Sequence, residues 1–288
     1  MSPMSPRTLR PRQTLHPEAA SWAARVVANG GSVSGSTLSA VSRFCRRIDA
    51  AAGLRAKFRR LSLMCGDNLS AALVPLYRNS SSTDTQLGGL TDSNIAVSGQ
   101  SPFVSGDYTL TGGLVGTGNA YLDTDLDPAD ITATTGHIAV YHKGATVTDT
   151  TTRYLIGSAS GSDFFLLAVR ANAGLAQNRV IFGGGTFVNV NESSSAWPGG
   201  LRTVTRSGDT DLKVYRGATE TGSSAASVTP GTHPNDLWIF ALNSAGTPVS
   251  VSSATIYAYS IGAALTADDV AAYNTAMTDF QNAIGRTT

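Results

Sequence analysis

Glutamate is nearly missing from this chain of 288 residues: three (Glu18, Glu192, Glu220) stand against 17 aspartates. Glutamate is a good helix former and aspartate is not, so little of the chain is expected as exposed helix. Two cysteines, Cys45 and Cys65, exclude a disulfide framework. No apolar run approaches the roughly 18 residues that a membrane-spanning helix needs. The first twenty residues, "MSPMSPRTLRPRQTLHPEAA", contain no apolar stretch of the kind that marks a secretory leader, and a secretory signal is not expected there. The four histidines (His16, His137, His142, His233) form no H-x-x-x-H pair, and "FGGGTF" at 182–187 lacks the lysine of a phosphate-binding loop. Those histidines read as strand or loop residues, and the glycines as a turn or bulge between strands.

What is abundant is Gly, Thr, Ser and Val, a composition with a β bias. The net charge of +1 conceals an asymmetry. Residues 1–78 hold 12 Lys or Arg against three acids, a net +9; the remainder holds nine against 17, a net −8. Opposite halves of this kind suggest two modules with different partners, or a basic face that docks on an acidic one.

Four regions follow. Residues 1–16, with Pro3, Pro6 and Pro11, are expected as a flexible basic arm. Residues 17–78 are expected as a helical module. Its first helix starts at Pro17 and stops at Gly30. The second has the stripe Leu38, Val41, Cys45, Ile48 and Ala52; the third, over Leu54–Met64, has Leu54, Phe58 and Leu61 on one side. Residues 79–106 read as a connection. Residues 107–288 carry about ten β-rich runs between turns, which argues a two-sheet sandwich. "RTVTR" and "LKVYR" alternate, so one face is wet; "FFLLAV" and "LWIFAL" do not, so those strands are covered on both faces. The last element is a helix opened by Thr266 and Asp269 as a capping box, striped with Val270, Tyr273, Met277, Phe280 and Ile284, and closed by Gly285. On this division residues 79–288 are expected to fold without the first module.

"DLKVYRGATETGSS" resembles a strand–turn–strand of concanavalin A-like, or laminin-G-like, jelly rolls. "ATIYAYSIGAALTADDVAAYNTAMTDFQNAIGR" resembles the closing strand and helix of that superfamily as found in bacteriophage and prophage virion proteins, and "NAYLDTDLDPAD" with "GHIAVYH" its opening strands. The segment around "FCRRIDAAAGLRAKFRRLSLMCGDN" resembles the helical preface of such domains in tailed-phage structural proteins. The order of these segments implies a mainly β jelly roll with an N-terminal helical anchor and a C-terminal helix. It implies a non-enzymatic structural protein of a phage or phage-like particle, made in the host cytoplasm and displaying the sandwich as a decoration, fibre or spike. A glycan-binding adhesin for host capsule or surface polysaccharide is the alternative, and a polysaccharide-cleaving enzyme ranks below both. A retaining glycosidase of this fold needs two carboxylates about 5–5.5 Å apart, and no glutamate here has such a partner on a predicted strand.

Candidate site residues follow. Trp197, in the loop "SSSAWPGG", with Asn191 and Tyr121, is the candidate for sugar contact. Arg43, Arg46, Arg47, Arg55, Arg59 and Arg60 are the candidates for docking on other virion proteins (capsid, portal, tail or fibre) or on sibling subunits, with nucleic acid a lesser reading. Cys45 and Cys65 read as buried thiols, with a bridge between them the alternative. Asp123, Asp125, Asp127 and Asp130 read as a strand end entering an Asx/Pro turn, with a Ca²⁺ site the alternative and no other cofactor expected.

Overall fold

Pro17, whose fixed φ suits a first helical turn, opens helix α1 (Pro17–Ala28), with the His16 ring accepting from the Glu18 amide as N-cap. Ser34 caps α2 (Gly35–Ala50). The computed structural model describes residues 14–80, 84–128, 131, 135–161, 163–184, 187–228 and 234–286; the arm over 1–13, Asp130 and His233 lie outside them. After α2 the chain enters strand β1 (Phe58–Ser62), then the short helix α3 (Leu69–Ala72) and β2 (Ser93–Ala96).

Two sheets form the sandwich. The first contains β1, β3 (Tyr108–Thr109), β4 (Gly113–Val115), β6 (Gly136–His142), β13 (Gly200–Arg206), β14 (Leu212–Arg216), β15 (Thr219–Ser224) and β19 (Thr255–Ala263). The second contains β2, β5 (Ala120–Asp123), β8 (Arg153–Ser160), β9 (Asp163–Asn172), β10 (Leu175–Phe182), β11 (Val188–Asn191) and β16 (Trp238–Ile239) in the order β11–β10–β9–β8–β16–β5–β2, with the hairpin of β17 (Leu242–Ser244) and β18 (Thr247–Val249) beside β8. A two-strand ribbon, β7 (Ala145–Thr146) with β12 (Ala196–Trp197), stands apart. Among the described residues pairing is antiparallel except between β17 and β8 and at the isolated bridge between Tyr154 and Val251. This is the mainly β, two-sheet sandwich with N-terminal helices and a C-terminal helix expected from the sequence.

Between the sheets lies the main core, built from inward residues such as Ile138, Val140, Phe165, Leu167, Val180, Phe182 and Val204. A second core lies on the outer side of the first sheet. There Ala139, Tyr141, Leu201, Tyr257 and Ala258 meet α1, α2 and the closing helix α4 (Ala267–Ala283). The capping box at Thr266 and Asp269 is present, and Val270, Tyr273, Met277, Phe280 and Ile284 are all buried. Phe280 packs edge-on against Phe44 of α2, with ring centroids 5.8 Å apart. Arg286, buried behind α4, donates to the carbonyls of Leu110, Met64 and Tyr257 and so ties the C-terminal end to three segments.

One element differs from expectation. The third helix over Leu54–Met64 is a single 3-10 turn (Arg55–Lys57) followed by β1, which pairs with β19 from Phe58↔Gly262 to Ser62↔Tyr259. The apolar spacing fits a helix, but strand pairing decides the outcome. β19 offers an unpaired edge beyond β4, and Gly262 lets β1 approach so closely that an added Cβ would lie 1.9 Å from the Lys57 carbonyl oxygen. β1 is covered on both sides, Phe58 lying against Tyr273 and Tyr77 while Arg60 points toward Tyr259. The helical segment is therefore not a free-standing bundle: one of its strands belongs to the sandwich, and its helices share a core with the first sheet.

Candidate functional site

The first sheet is covered by helices on its outer side, whereas no helix lies over the outer side of the second among the described residues. Register shows what that second face presents. Gln177 pairs with Arg170 on one side and Asn191 on the other, and Arg179 pairs with Ala168 and Asn189. Directly opposed residues share a face, so Arg170, Gln177, Asn191, Arg179 and Asn189 all point outward. The sequence alternates accordingly: in "LAQNRVIF" Ala176, Asn178, Val180 and Phe182 turn inward. Nearer the middle of this face Leu166, Ala168 and Ile181 are closed off by Leu242, Tyr154, Phe164 and Phe187. The polar groups occupy the edge beyond them.

Hydrogen bonds fix this edge. Arg170 Nε donates to Gln177 Oε1 at 3.0 Å, and Gln177 Nε2 donates to Asn191 Oδ1 at 2.7 Å, a row running across β9, β10 and β11. Arg179 lays its guanidinium 3.9 Å from the centroid of the Phe187 ring and donates from Nη1 to Thr152 Oγ1 at 3.2 Å. Neither arginine has a carboxylate within ion-pair distance among the described residues. Burial, followed by the charge of Arg170, pulls the Arg179 guanidinium below its ordinary value; burial pushes the Tyr154 hydroxyl up. Gln177 is buried and braces the row, so the groups left to a ligand are two guanidinium groups, the carboxamides of Asn189 and Asn191 and an aromatic ring, which can hold a planar anionic group by paired hydrogen bonds beside an apolar ring face.

Of the three residues expected to contact sugar, only Asn191 is on this face. Trp197 is 1 % exposed. Its ring is stacked on His142 at a centroid distance of 3.5 Å, and its Nε1 donates to Asn178 Oδ1 at 2.9 Å. The Gly/Ser/Pro loop around it reads as open, but β12 pairs with β7 and turns the indole into the core. Tyr121 is buried as well, its ring stacked on Trp238 at 4.2 Å. Trp197 and Tyr121 are thus packing residues. Arg170, Gln177 and Arg179 were not singled out from the sequence; the alternation within β10 is the signal that marks two of them.

Beneath the Trp197 indole a polar node ties the sheets together. Glu192 Oε1 accepts from Asn178 Nδ2 at 3.1 Å and Arg202 Nη2 at 3.0 Å, and Oε2 accepts from Arg216 Nη1 at 2.8 Å. Burial lowers the Arg202 guanidinium to about 10 and the His142 imidazole to about 3. Glu18 is likewise engaged, by Arg55 at 3.0 Å. Both carboxylates therefore serve as structural counter-ions.

The six docking arginines separate into two groups. Arg60 is fully buried, bound to Asp92 and Tyr259, and Arg55 lies over the Tyr77 ring at 3.8 Å while paired with Glu18. Arg59 donates to Asn79 and Ser80. These three hold their own chain, because β1 and its approach run through the interior rather than along a helix surface. Arg43, Arg46 and Arg47 remain on the outside of α2; Arg47 pairs with Asp279 at 2.6 Å and Arg46 donates to the Thr14 carbonyl.

Cys45 and Cys65 are both buried and free, so no bridge joins them. Burial pushes each thiol up to about 12. At Asp123–Asp127 the Asp125 amide donates to Asp123 Oδ1 at 2.9 Å, with Asp125 at φ +52°, the Asx turn expected there. No group of three metal-ligating side chains is found among the described residues.

No protein-family model and no curated protein matches the chain. Among solved structures, the carbohydrate-binding module CBM40 of the Ruminococcus gnavus IT-sialidase is 11 % identical over 57 % of this chain and 96 % of its own, with a TM-score of 0.44. The binding domain of botulinum neurotoxin serotype D is 10 % identical, covering 75 % of this chain and 51 % of its own, with a TM-score of 0.48. NanB sialidase from Streptococcus pneumoniae is 15 % identical over 56 % of this chain, with a TM-score of 0.44, and this chain spans 27 % of its length. At these values the likenesses carry no functional argument; the sandwich rests on its own strand pairing.

Proposed function

We propose that the protein is a non-catalytic, lectin-like binding protein whose second sheet recognises an anionic saccharide through its β9–β11 edge. The observation that carries this reading is the pair Arg170 and Arg179, held on neighbouring strands among carboxamides and an aromatic ring, with no carboxylate among the described residues at ion-pair distance from either. A uronate, sialate or sulfate group offers the planar or tripodal oxygens that a guanidinium binds through two hydrogen bonds. The ring of Phe187 and the amides of Asn189 and Asn191 supply the apolar and hydroxyl-directed contacts of a sugar site. The non-catalytic part is supported by Glu18 and Glu192, both consumed by ion pairs.

The setting we infer is the surface of a phage or phage-like particle, on the resemblance of the segment order to virion proteins. The helix-covered side would then face other virion proteins or sibling subunits, and the second sheet would face host capsule or surface polysaccharide. A glycan array probed with the full-length chain tests the binding claim. Binding concentrated on acidic bacterial polysaccharides, weakened by salt and lost in Arg170→Ala/Arg179→Ala, is the expected result. Equal binding of neutral and acidic glycans, or none, would contradict it.

A further inference from the structure

β11 is the outermost strand of the second sheet, and its ladder runs along β10 from Val188↔Val180 to Asn191↔Gln177. A short strand at a sheet edge, paired on one side, frays readily. Yet this strand carries Asn189 and Asn191, both exposed and both assigned above to a saccharide. Contacts from a fraying strand are weak, because binding must first order it.

The residue that follows supplies the order. Asn189 and Asn191 point outward, Val188 and Val190 turn toward the main core, and Glu192 continues that inward set. Its carboxylate accepts from Asn178 on β10, and across the gap from Arg202 on β13 and Arg216 on β14. The first sheet depends on that carboxylate in turn. Register sets Arg202 directly opposite Arg216, and like charges so placed repel unless an anion serves both. Arg202, 2 % exposed, also donates to the Pro198 carbonyl at 2.9 Å, while its Nε and Nη1 find no acceptor among the described residues. Val190 lies over Gly222 of β15, where an added Cβ would come within 2.7 Å of Val190 Cγ2. That apolar contact joins the same two sheets but has no preferred direction; the ion pairs have one.

We infer that Glu192 is a positioning residue of the saccharide edge. Gripped by Arg202 and Arg216, it fixes β11 and so sets the carboxamides of Asn189 and Asn191 beside Arg170 and Arg179. The inference rests on the saccharide reading for its ligand and on the ion-pair geometry for the hold on β11. Glu192 turns away from the outer face, so it acts on affinity through the strand.

The test is hydrogen–deuterium exchange, read by mass spectrometry, on the full chain and its Glu192→Gln and Arg216→Ala variants. Polygalacturonate, polysialic acid and dextran sulfate serve as uronate, sialate and sulfate probes of binding. Arg216 is 48 % exposed, so its truncation leaves the buried Arg202–Glu192 pair in place and the chain folded. In each variant the amides of 188–191 should lose protection by at least about tenfold while those of β6 and β13 keep theirs. Affinity for a probe that the parent binds should fall by at least about tenfold with Arg170 and Arg179 untouched. Arg216→Lys, which keeps a cation for the carboxylate, should restore most of both. Unchanged exchange over 188–191 in both folded variants would overturn the inference, as would a rise spread evenly over both sheets. A local rise with unaltered affinity would overturn it too and leave saccharide binding standing. A parent chain that binds none of the three probes would instead sink the saccharide reading, and the exchange arm would still decide whether Glu192 holds β11.

Discussion

Arg60 and Asp92 meet at 2.6 Å with both side chains at 0 % exposure. Asp92 Oδ1 accepts from Arg60 Nη2 and Nε and from the Tyr259 hydroxyl, and Arg60 Nη1 reaches the Gly89 carbonyl at 3.0 Å. Burial works against the Arg60 charge, but Tyr259 and Asp92 outweigh it and hold the guanidinium above its ordinary value. The pair joins β1 to the loop before β2 and to β19, three segments far apart in sequence. Removing one partner strands a charge in the interior, at a cost of about 3–5 kcal/mol. Asp92→Ala and Arg60→Ala should each lose that much in urea unfolding. The double change Arg60→Met/Asp92→Leu should lose clearly less than the two singles added together, and strict additivity would contradict the coupling.

Residues 79–288 should not fold on their own, against the expectation from sequence. Truncation removes β1 from the sheet, deprives Asp92 of its counter-ion and uncovers Tyr273 and Phe280. The expected product aggregates or binds hydrophobic dye without a cooperative melt. A sharp, reversible melt near that of the full chain would show that the first 78 residues are dispensable.

His137 makes stability depend on pH in a stated direction. Its Nδ1 lies 2.7 Å from the Ala263 carbonyl and must donate to it; Nε2 is 3.0 Å from Ser260 Oγ and accepts. Burial lowers the imidazole to about 4, with Lys57 adding to the fall and Asp269 opposing it. The unfolded chain takes up this proton below about 6.5, the folded chain only near 4, so the contribution is full above pH 6.5 and is lost as pH falls toward 4. The loss is about 3 kcal/mol for His137 over that window. Denaturant melts at pH 7, 5 and 4 should show the decline, and His137→Asn should make it shallower, leaving the part that comes from His142, whose imidazole burial lowers to about 3. A variant with the parent's slope would remove His137 as the cause.

The two thiols should be inert in the native state. Both Cys45 and Cys65 are buried and raised to about 12, so almost no thiolate exists near neutral pH. A chromogenic disulfide reagent should titrate neither thiol before denaturant is added and both afterwards, and reductant should leave the melting temperature unchanged. Rapid reaction of the folded chain would contradict this burial.

How far the sequence discloses this structure depends on whether the signal is local. α4 is legible because its cap, stripe and terminating glycine sit within about twenty residues. β9 is legible because "FFLLAV" has no polar face to confuse it with a surface strand. β1 is not legible: Leu54, Phe58 and Leu61 have helical spacing, and only the free edge of β19, 200 residues later, makes a strand of them. Trp197 misleads for the same reason, since its partners His142 and Asn178 come from other strands. The candidate face is the extreme case. Arg170, Gln177, Arg179 and Asn191 are single polar residues in three runs, and they become one site only through the cross-strand register of β9, β10 and β11.

The most direct measurement is a crystal structure of the full chain with the acidic saccharide that binds it best. The account predicts saccharide density over the β9–β11 edge, its anionic group held by the guanidinium groups of Arg170 and Arg179 and a ring face against Phe187. Density confined to another surface, with this edge unchanged, would contradict it.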